Sequence, residues 1–263
     1  MAHREYARRW GGNSGSYDRQ GVYDWLAGHL GSAIEPRSLL DIGCGRGEGM
    51  AALRRRFCGL SLLVGLDENP HCLAAAAERL GAEPPAVRLV RRPGEGRVFD
   101  IDLAPGRLPA PATNALAQVD ILREDLEFED WIISLAPFDA VTMWFTGIHP
   151  ARQMDAYIRS VGIQDDRMHR MVNDFAIFDL ACGVVPPGGV LQIVNRAKGH
   201  SEAEAQSETI ANMTKLAQRG PFIVADVAAR RYTEPVTGPR IGLGAPDCPA
   251  HYAISTIFGR IAN

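Results

Sequence analysis

Residues 37–57 read RSLLDIGCGRGEGMAALRRRF. The run SLLDIG is short and apolar, as expected of a buried strand. EGMAALRRRF has helical spacing, with Met50, Leu53 and Phe57 on one side. Between them Gly43, Gly45, Gly47 and Gly49 fall at alternate positions. Glycines placed this way bare the backbone at the carboxyl end of a strand, where open α/β sheets bind ligands. The type of ligand decides the family.

Outward from this stretch the pattern repeats. SLLVGLD (61–67) predicts a second strand and NPHCLAAAAERLG (69–81) a second helix. Asn69 is its N-cap, Pro70 its first helical residue and Gly81 its end. Strand and helix alternating at this pitch imply right-handed crossovers and a parallel sheet. Residues 82 to about 117 break the rhythm with a Pro- and Gly-rich insertion. Within it AVRLVRR and RVFDIDL flank PGEG and predict a hairpin. A surface excursion and a lid or oligomer contact are both open readings of this insertion.

The alternation resumes with QVDILRED as the third strand, EDWIISLA as a short helix and FDAVTMWF as the fourth strand. DDRMHRMVNDFAIFDLACGVV predicts a long helix with Met168, Met171, Val172, Phe175 and Phe178 inward. VLQIVN is the fifth strand. The next helix opens on a capping box, Ser201 with Glu204. PFIVADVAARRYTEP and HYAISTIFGRI are the last strands; no helical pattern separates them, so they are expected to pair antiparallel. At the other end, GVYDWLAGHLG (21–31) predicts a short helix. Residues 1–20 are polar, carry GGNSGS and read as mobile until something orders them; Tyr6, Trp10 and Tyr17, aromatics without a core pattern, suggest that a ligand or partner does so. The expected organisation is a cap or lid segment, 1–36, and one domain, 37–263, carrying the insertion.

The chain has 263 residues, 46% hydrophobic and 22% charged, with a formal charge of −3. Its size suits one large domain. The charge argues against a nucleic-acid partner, since phosphate binding is mainly cationic neutralisation. Five cysteines without a C-x-x-C pair predict reduced thiols, no metal site and a cytoplasmic protein. No apolar leader or spanning run is seen, so no membrane partner is expected.

The glycine turn excludes one ligand class and counts against a second without excluding it. A triphosphate loop needs G-x-x-x-x-G-K-[ST], and no Lys follows these glycines. The dinucleotide fingerprint G-x-G-x-x-G, begun at Gly43, meets Glu48 at its sixth position. A carboxylate there would repel the diphosphate that a helix N-terminus should attract. What remains is a ligand with a cationic end. Gly43, Cys44 and Gly45 allow close backbone approach, and Asp41 can face an ammonium or sulfonium. Asp67, followed by Glu68, ends the second strand, where a carboxylate can accept two ribose hydroxyls.

LLDIGCGRG followed by VGLDENPHCLAAA resembles the class I S-adenosylmethionine-dependent methyltransferases. REDLEF, FDAVTMWF and VVPPGGVLQIVN resemble later family motifs in order, so the likeness spans roughly residues 38–200 around the insertion. It implies a Rossmann-like α/β fold: a seven-stranded, mostly parallel sheet with helices on both faces and an antiparallel last strand. It implies S-adenosyl-L-methionine as cofactor and methyl transfer by in-line displacement. Asp125 would sit near the adenine amino group and Leu126 beside the ring. Tyr17 and its neighbours would close over the methionine part.

The chemistry is then expected at the carboxyl edge. His149, in WFTGIHPAR after strand four, is the candidate general base. Trp144, Phe145 and Thr146 share that edge, with Trp144 either a cofactor contact or core. Asn195 and Arg196 follow strand five, and His169 and His200 are more distant candidates. The expected acceptor is a small molecule, methylated at nitrogen or oxygen. The DNA-amino motif [DN]-P-P-[YFW] is missing after strand four, and no basic groove or recognition domain is visible. Two alternatives stay open: a lyase or cyclase that consumes the cofactor, and a non-catalytic cofactor-binding protein. The insertion and the antiparallel edge are candidate homodimer contacts.

Overall fold

The computed structural model describes residues 2–81, 87–91, 97–101, 113–122, 126–146, 156–163, 165–235 and 250–262. In chain order the elements are α1 (Ala2–Arg19), α2 (Val22–Ala33), β1 (Ser38–Ile42), α3 (Glu48–Arg56), β2 (Leu62–Asp67), α4 (Pro70–Arg79), β3 (Val87–Arg91), β4 (Arg97–Ile101) and β5 (Thr113–Gln118). Then follow α5 (Leu126–Leu135), β6 (Ala140–Trp144), α6 (Ala156–Ser160), α7 (Asp166–Val184), β7 (Val190–Gly199), α8 (Glu202–Ala217), β8 (Phe222–Tyr232) and β9 (Ala250–Arg260).

All these strands join one sheet, in the order β3-β4-β5-β2-β1-β6-β7-β9-β8. The run from β5 to β7 is parallel. β9 is antiparallel to both its neighbours, β7 and β8. Seven strands therefore make the expected sheet with its antiparallel last strand. The hairpin β3–β4 from the insertion adds two more, antiparallel, beside β5.

Strand period explains the two-sided core. Leu39, Leu63, Leu116, Ala140 and Val190 face one layer, with Trp10 of α1, Leu26 of α2, Leu53 of α3 and Leu73 of α4. Leu40, Val64, Ala115, Val141 and Leu191 face the other, with Phe128 of α5, Phe178 of α7 and Leu216 of α8. Each fully buried Leu or Phe stabilises the fold by roughly 1.5–3 kcal/mol. The caps form as read: Asn69 accepts from the His71 amide, and Ser201 from the Glu204 amide.

Three expectations need correction. The third strand is Thr113–Gln118, not QVDILRED. Its small alanines, Ala115 and Ala117, give a weak strand signal, yet they are buried beside β2. The last pair is Asp67 with Gln118, after which the chain leaves the sheet. Residues 2–19 are helical and docked, not mobile. Gly11 lets α1 pass close to the Arg46 side chain, which lies against the helix and not out in solvent. On α7, Met171 is 47% exposed, and the core contacts come from Ile177, Phe178 and Ala181. The helix is turned so that His169 and Asn173 are buried instead.

Candidate functional site

The site lies at the carboxyl edge of the parallel strands. Gly43, Gly45 and Gly47 have φ of 70°, 55° and 79°, a region that favours glycine. A Cβ at Gly43 would lie 2.9 Å from Thr146 Cγ2, and one at Gly45 2.9 Å from Trp10 Nε1. The turn is pinned to β2. The Cys44 amide donates to the Leu66 carbonyl at 2.9 Å. The Gly45 amide donates to Asp67 Oδ2 at 3.0 Å, and Asp67 Oδ1 accepts from the Asn69 amide at 2.8 Å.

A cleft opens over this turn. Gly43, Gly45, Asp67 and Glu68 line it from the exits of β1 and β2. Val119, Asp120 and Ile121 come from the exit of β5, and Phe145 and Thr146 from that of β6. Tyr6 and Trp10 of α1 and His169 and Asn173 of α7 complete the walls. Phe145 has φ 59°, a strained value for a bulky residue of the kind that collects at functional sites. Asn173 Nδ2 donates to His169 Nδ1 at 2.9 Å and to the His169 carbonyl at 2.9 Å. Burial, and then the charge of Asp67, push the Tyr6 hydroxyl well up, so it stays protonated.

The electrostatics are acidic. Among the described residues lining the cleft, Asp67, Glu68 and Asp120 are carboxylates and none is Lys or Arg. The first turn of α3 holds its own carboxylate: Glu48, 3% exposed, pairs with Arg79 at 2.7 Å.

Four residues expected at the cofactor do not line the cleft. Tyr17 is fully buried, with its hydroxyl on Glu234 and its ring against Trp10, Phe145 and Tyr232. The helical period puts Tyr6 and Trp10 on its face, and they form the roof instead. Trp144 is core: its Nε1 donates to Gln192 Oε1 at 3.0 Å, and its ring stacks on Tyr23. Cys44 is buried, and burial raises its thiol well above the usual range. Asp41 is 3% exposed and accepts from the Thr142 hydroxyl at 2.7 Å.

Gly43, Gly45, Asp67 and Glu68 lie together in the cleft as expected from their spacing. His149 and Asp125 lie outside the described residues; Leu126 opens α5, with its side chain outside them too. Arg196 is buried beneath α1, and His200 is exposed at the start of α8. Sequence reasoning singled out Tyr6 and Trp10 as aromatics awaiting a ligand or partner, and both line the cleft; it missed Asp120 as a cleft residue, and Asn173 altogether. The His169–Asn173 spacing of one helical turn was the available signal.

Burial pushes the Asp41 carboxyl from 3.8 up to about 7, with the Thr142 hydroxyl opposing. The folded value lies above the unfolded one. The stability carried by neutral Asp41 is therefore present below about pH 4 and lost as pH rises through about 7. Asp174 is shifted the same way by its own burial. Asn at position 41 keeps an oxygen for Thr142 without the charge. Asp41→Asn should therefore stabilise the protein at pH 8 by about 2–4 kcal/mol and leave it nearly unchanged at pH 4. Thermal melts that fall in parallel for both proteins from pH 4 to 8 would refute this.

No family model matches the chain, and no curated protein matches it by sequence. Among solved structures it is similar to the methyltransferase domain of a bacterial Hen1, at 14% identity and TM-score 0.51, covering 92% of this chain and 99% of that one. It is also similar to a provisionally described RNA methyltransferase from Pyrococcus horikoshii, at 13% identity and TM-score 0.50, covering 92% of this chain and 82% of that one.

The chain has the class I methyltransferase fold. On this methyltransferase sheet, the β3–β4 hairpin is an addition at the β5 edge and α1 is a roof over the carboxyl edge. Among the described residues no helix is long and apolar enough to cross a membrane. None of their His, Cys, Asp and Glu side chains form a group of three or more able to hold a metal.

Proposed function

We propose that this chain is an S-adenosylmethionine-dependent methyltransferase acting on a small molecule at nitrogen or oxygen. One observation carries the reading. A carboxylate, Asp67, is fixed on the bared Gly45 amide inside a cleft whose described lining has no Lys or Arg. A diphosphate would meet three carboxylates there, whereas a ribose and a sulfonium would meet acceptors and negative charge.

The residues fit this cofactor. Asp67 and Glu68 accept the ribose hydroxyls. Ile42, Leu66, Val119 and Ile121 supply apolar walls for the base, and Asp125 and Leu126 keep the adenine contacts that the resemblance implies. Gly43 and Gly45 admit the chain bearing the sulfur because a side chain at either would collide with Thr146 or Trp10. When bound, S-adenosylmethionine supplies a methyl group already activated for displacement. The protein's task is to align a nucleophile, exclude water and take a proton. Tyr6 and Trp10 roof the cleft against water, Phe145 and Thr146 wall the acceptor side, and His149 takes the proton.

The acidic lining favours a neutral or cationic acceptor and supports a small molecule over a nucleic acid. Calorimetry tests the cofactor: S-adenosylhomocysteine is expected to bind at micromolar concentration and NAD and FAD not at all. Tight NAD or FAD binding without S-adenosylhomocysteine binding would overturn the reading. Labelled-methyl transfer to a panel of amines, phenols and carboxylic acids tests the acceptor class. Cofactor turnover without any acceptor would support the lyase alternative instead.

A further inference from the structure

We propose that Asn173 binds the methyl acceptor and selects an amine, its Oδ1 taking an N–H of the nitrogen to be methylated. The proposal rests on the methyltransferase reading above. In sheet order the ribose carboxylates stand past β2, the glycine turn past β1, and Phe145 and Thr146 past β6. α7 belongs to the β6 side, because it leads the chain from there into β7. The Phe138 amide, just before β6, donates to the Val184 carbonyl at 2.9 Å. That bond places the end of α7 at the amino edge of the sheet, so its start stands at the carboxyl edge. There His169 and Asn173, one helical turn apart, enter the cleft wall.

Asn173 is 6% exposed, and its carboxamide is held in one orientation. Nδ2 donates to the His169 carbonyl at 2.9 Å, where an oxygen would be repelled. The second Nδ2 hydrogen faces the His169 ring, 2.9 Å from Nδ1 and 3.5 Å from Nε2. Both amide hydrogens are thereby engaged by His169. Oδ1 stands at the opposite corner of the amide, and no described residue donates to it. A buried carboxamide oxygen calls for a donor. In this cleft an N–H of the ligand supplies it.

A carboxamide oxygen accepts a hydrogen bond but is no base at neutral pH, and this separates the acceptor classes. A hydroxyl held there keeps its proton, whereas O-methylation needs that proton removed. An amine can give Asn173 one N–H and still present a lone pair. The charge of the cleft agrees. Asp67, Glu68 and Asp120 draw in an ammonium, and the described lining has no Lys or Arg to bind a carboxylate. The ammonium gives one proton to His149, the base of the reading above. The freed nitrogen pair forms the bond to the methyl carbon, the carbon–sulfur bond breaks, and its pair stays on sulfur. The product leaves as the methylated ammonium. Asn173 keeps one N–H throughout, which sets the direction of the lone pair.

The test is ligand-observed NMR on the full chain loaded with S-adenosylhomocysteine, using matched probes on benzyl, phenethyl and butyl frames. Each frame carries a primary amine, a trimethylammonium group, a hydroxyl or a carboxylate. The trimethylammonium keeps the charge but has no N–H. In the wild type at least one amine should bind about tenfold tighter than its trimethylammonium and hydroxyl counterparts. Asn173→Leu and Asn173→Ala should weaken that amine about tenfold and leave the trimethylammonium probe and S-adenosylhomocysteine within about twofold. Circular dichroism checks that each variant folds. Preference for hydroxyl or carboxylate probes, or no bound amine, would overturn the proposal on the wild type alone. Equal loss of the amine and either control in folded variants would also overturn it, by making Asn173 a packing element of α7. So would variants that bind the amine as the wild type does. A wild-type protein that fails to bind S-adenosylhomocysteine by calorimetry would instead overturn the methyltransferase reading itself.

Discussion

Asp67→Ala is expected to weaken S-adenosylhomocysteine binding by at least about a hundredfold. Two effects add. The substitution removes the acceptors for the ribose hydroxyls, and charge-assisted bonds of that kind are worth about 1.5–3 kcal/mol each. It also unpins the glycine turn, because Asp67 holds the amides of Gly45 and Asn69. Asp67→Asn keeps one acceptor and should fall between wild type and Ala. The fold should survive, since the core strands are untouched. Calorimetry with S-adenosylhomocysteine reads the effect directly, and an Ala variant within tenfold of wild type would remove Asp67 from the ribose role.

Gly47→Val should cost about 3–5 kcal/mol of stability. The backbone there has φ 79°, which a β-branched residue rarely adopts. A Cβ would also stand 3.0 Å from Ala76 Cα and 3.1 Å from Ala76 Cβ. Those atoms belong to α4 and cannot rotate away, so α3 and α4 must part. For a chain of this size the melting temperature should drop by about 10 °C. A drop of under 2 °C would show that the turn relaxes more freely than its geometry implies. By contrast, a Cβ at the exposed Gly12 would meet no atom within 4 Å, so that position has room for a side chain.

Much of this fold could be read from local pattern because its elements report themselves locally. β1, β2 and β6 are buried on both faces and appear as continuous apolar runs. Asn69 and Ser201 announce helix starts through hydrogen bonds that span two or three residues. β5 was misplaced because its residues are small and its strand character comes from pairing with β2, a contact far along the chain. The helicity of residues 2–19 was equally hidden. It depends on docking Tyr6, Trp10 and Tyr17, which local propensity opposes. The same division holds for the cleft. Gly43, Gly45, Asp67 and Glu68 follow from one strand–turn–helix repeat. Tyr6, Trp10, Asp120, His169 and Asn173 reach the cleft through tertiary placement, and no spacing rule gathers residues so far apart.

β9 follows β8 in the chain, yet it lies between β7 and β8 in the sheet. Until residues 250–260 leave the ribosome, β7 and β8 have no strand between them, and each shows a bare row of amides and carbonyls. Assembly of that side of the sheet must wait until those residues emerge. A nascent chain stalled before residue 250 would expose two open strand edges at once, and is the species most in need of a chaperone.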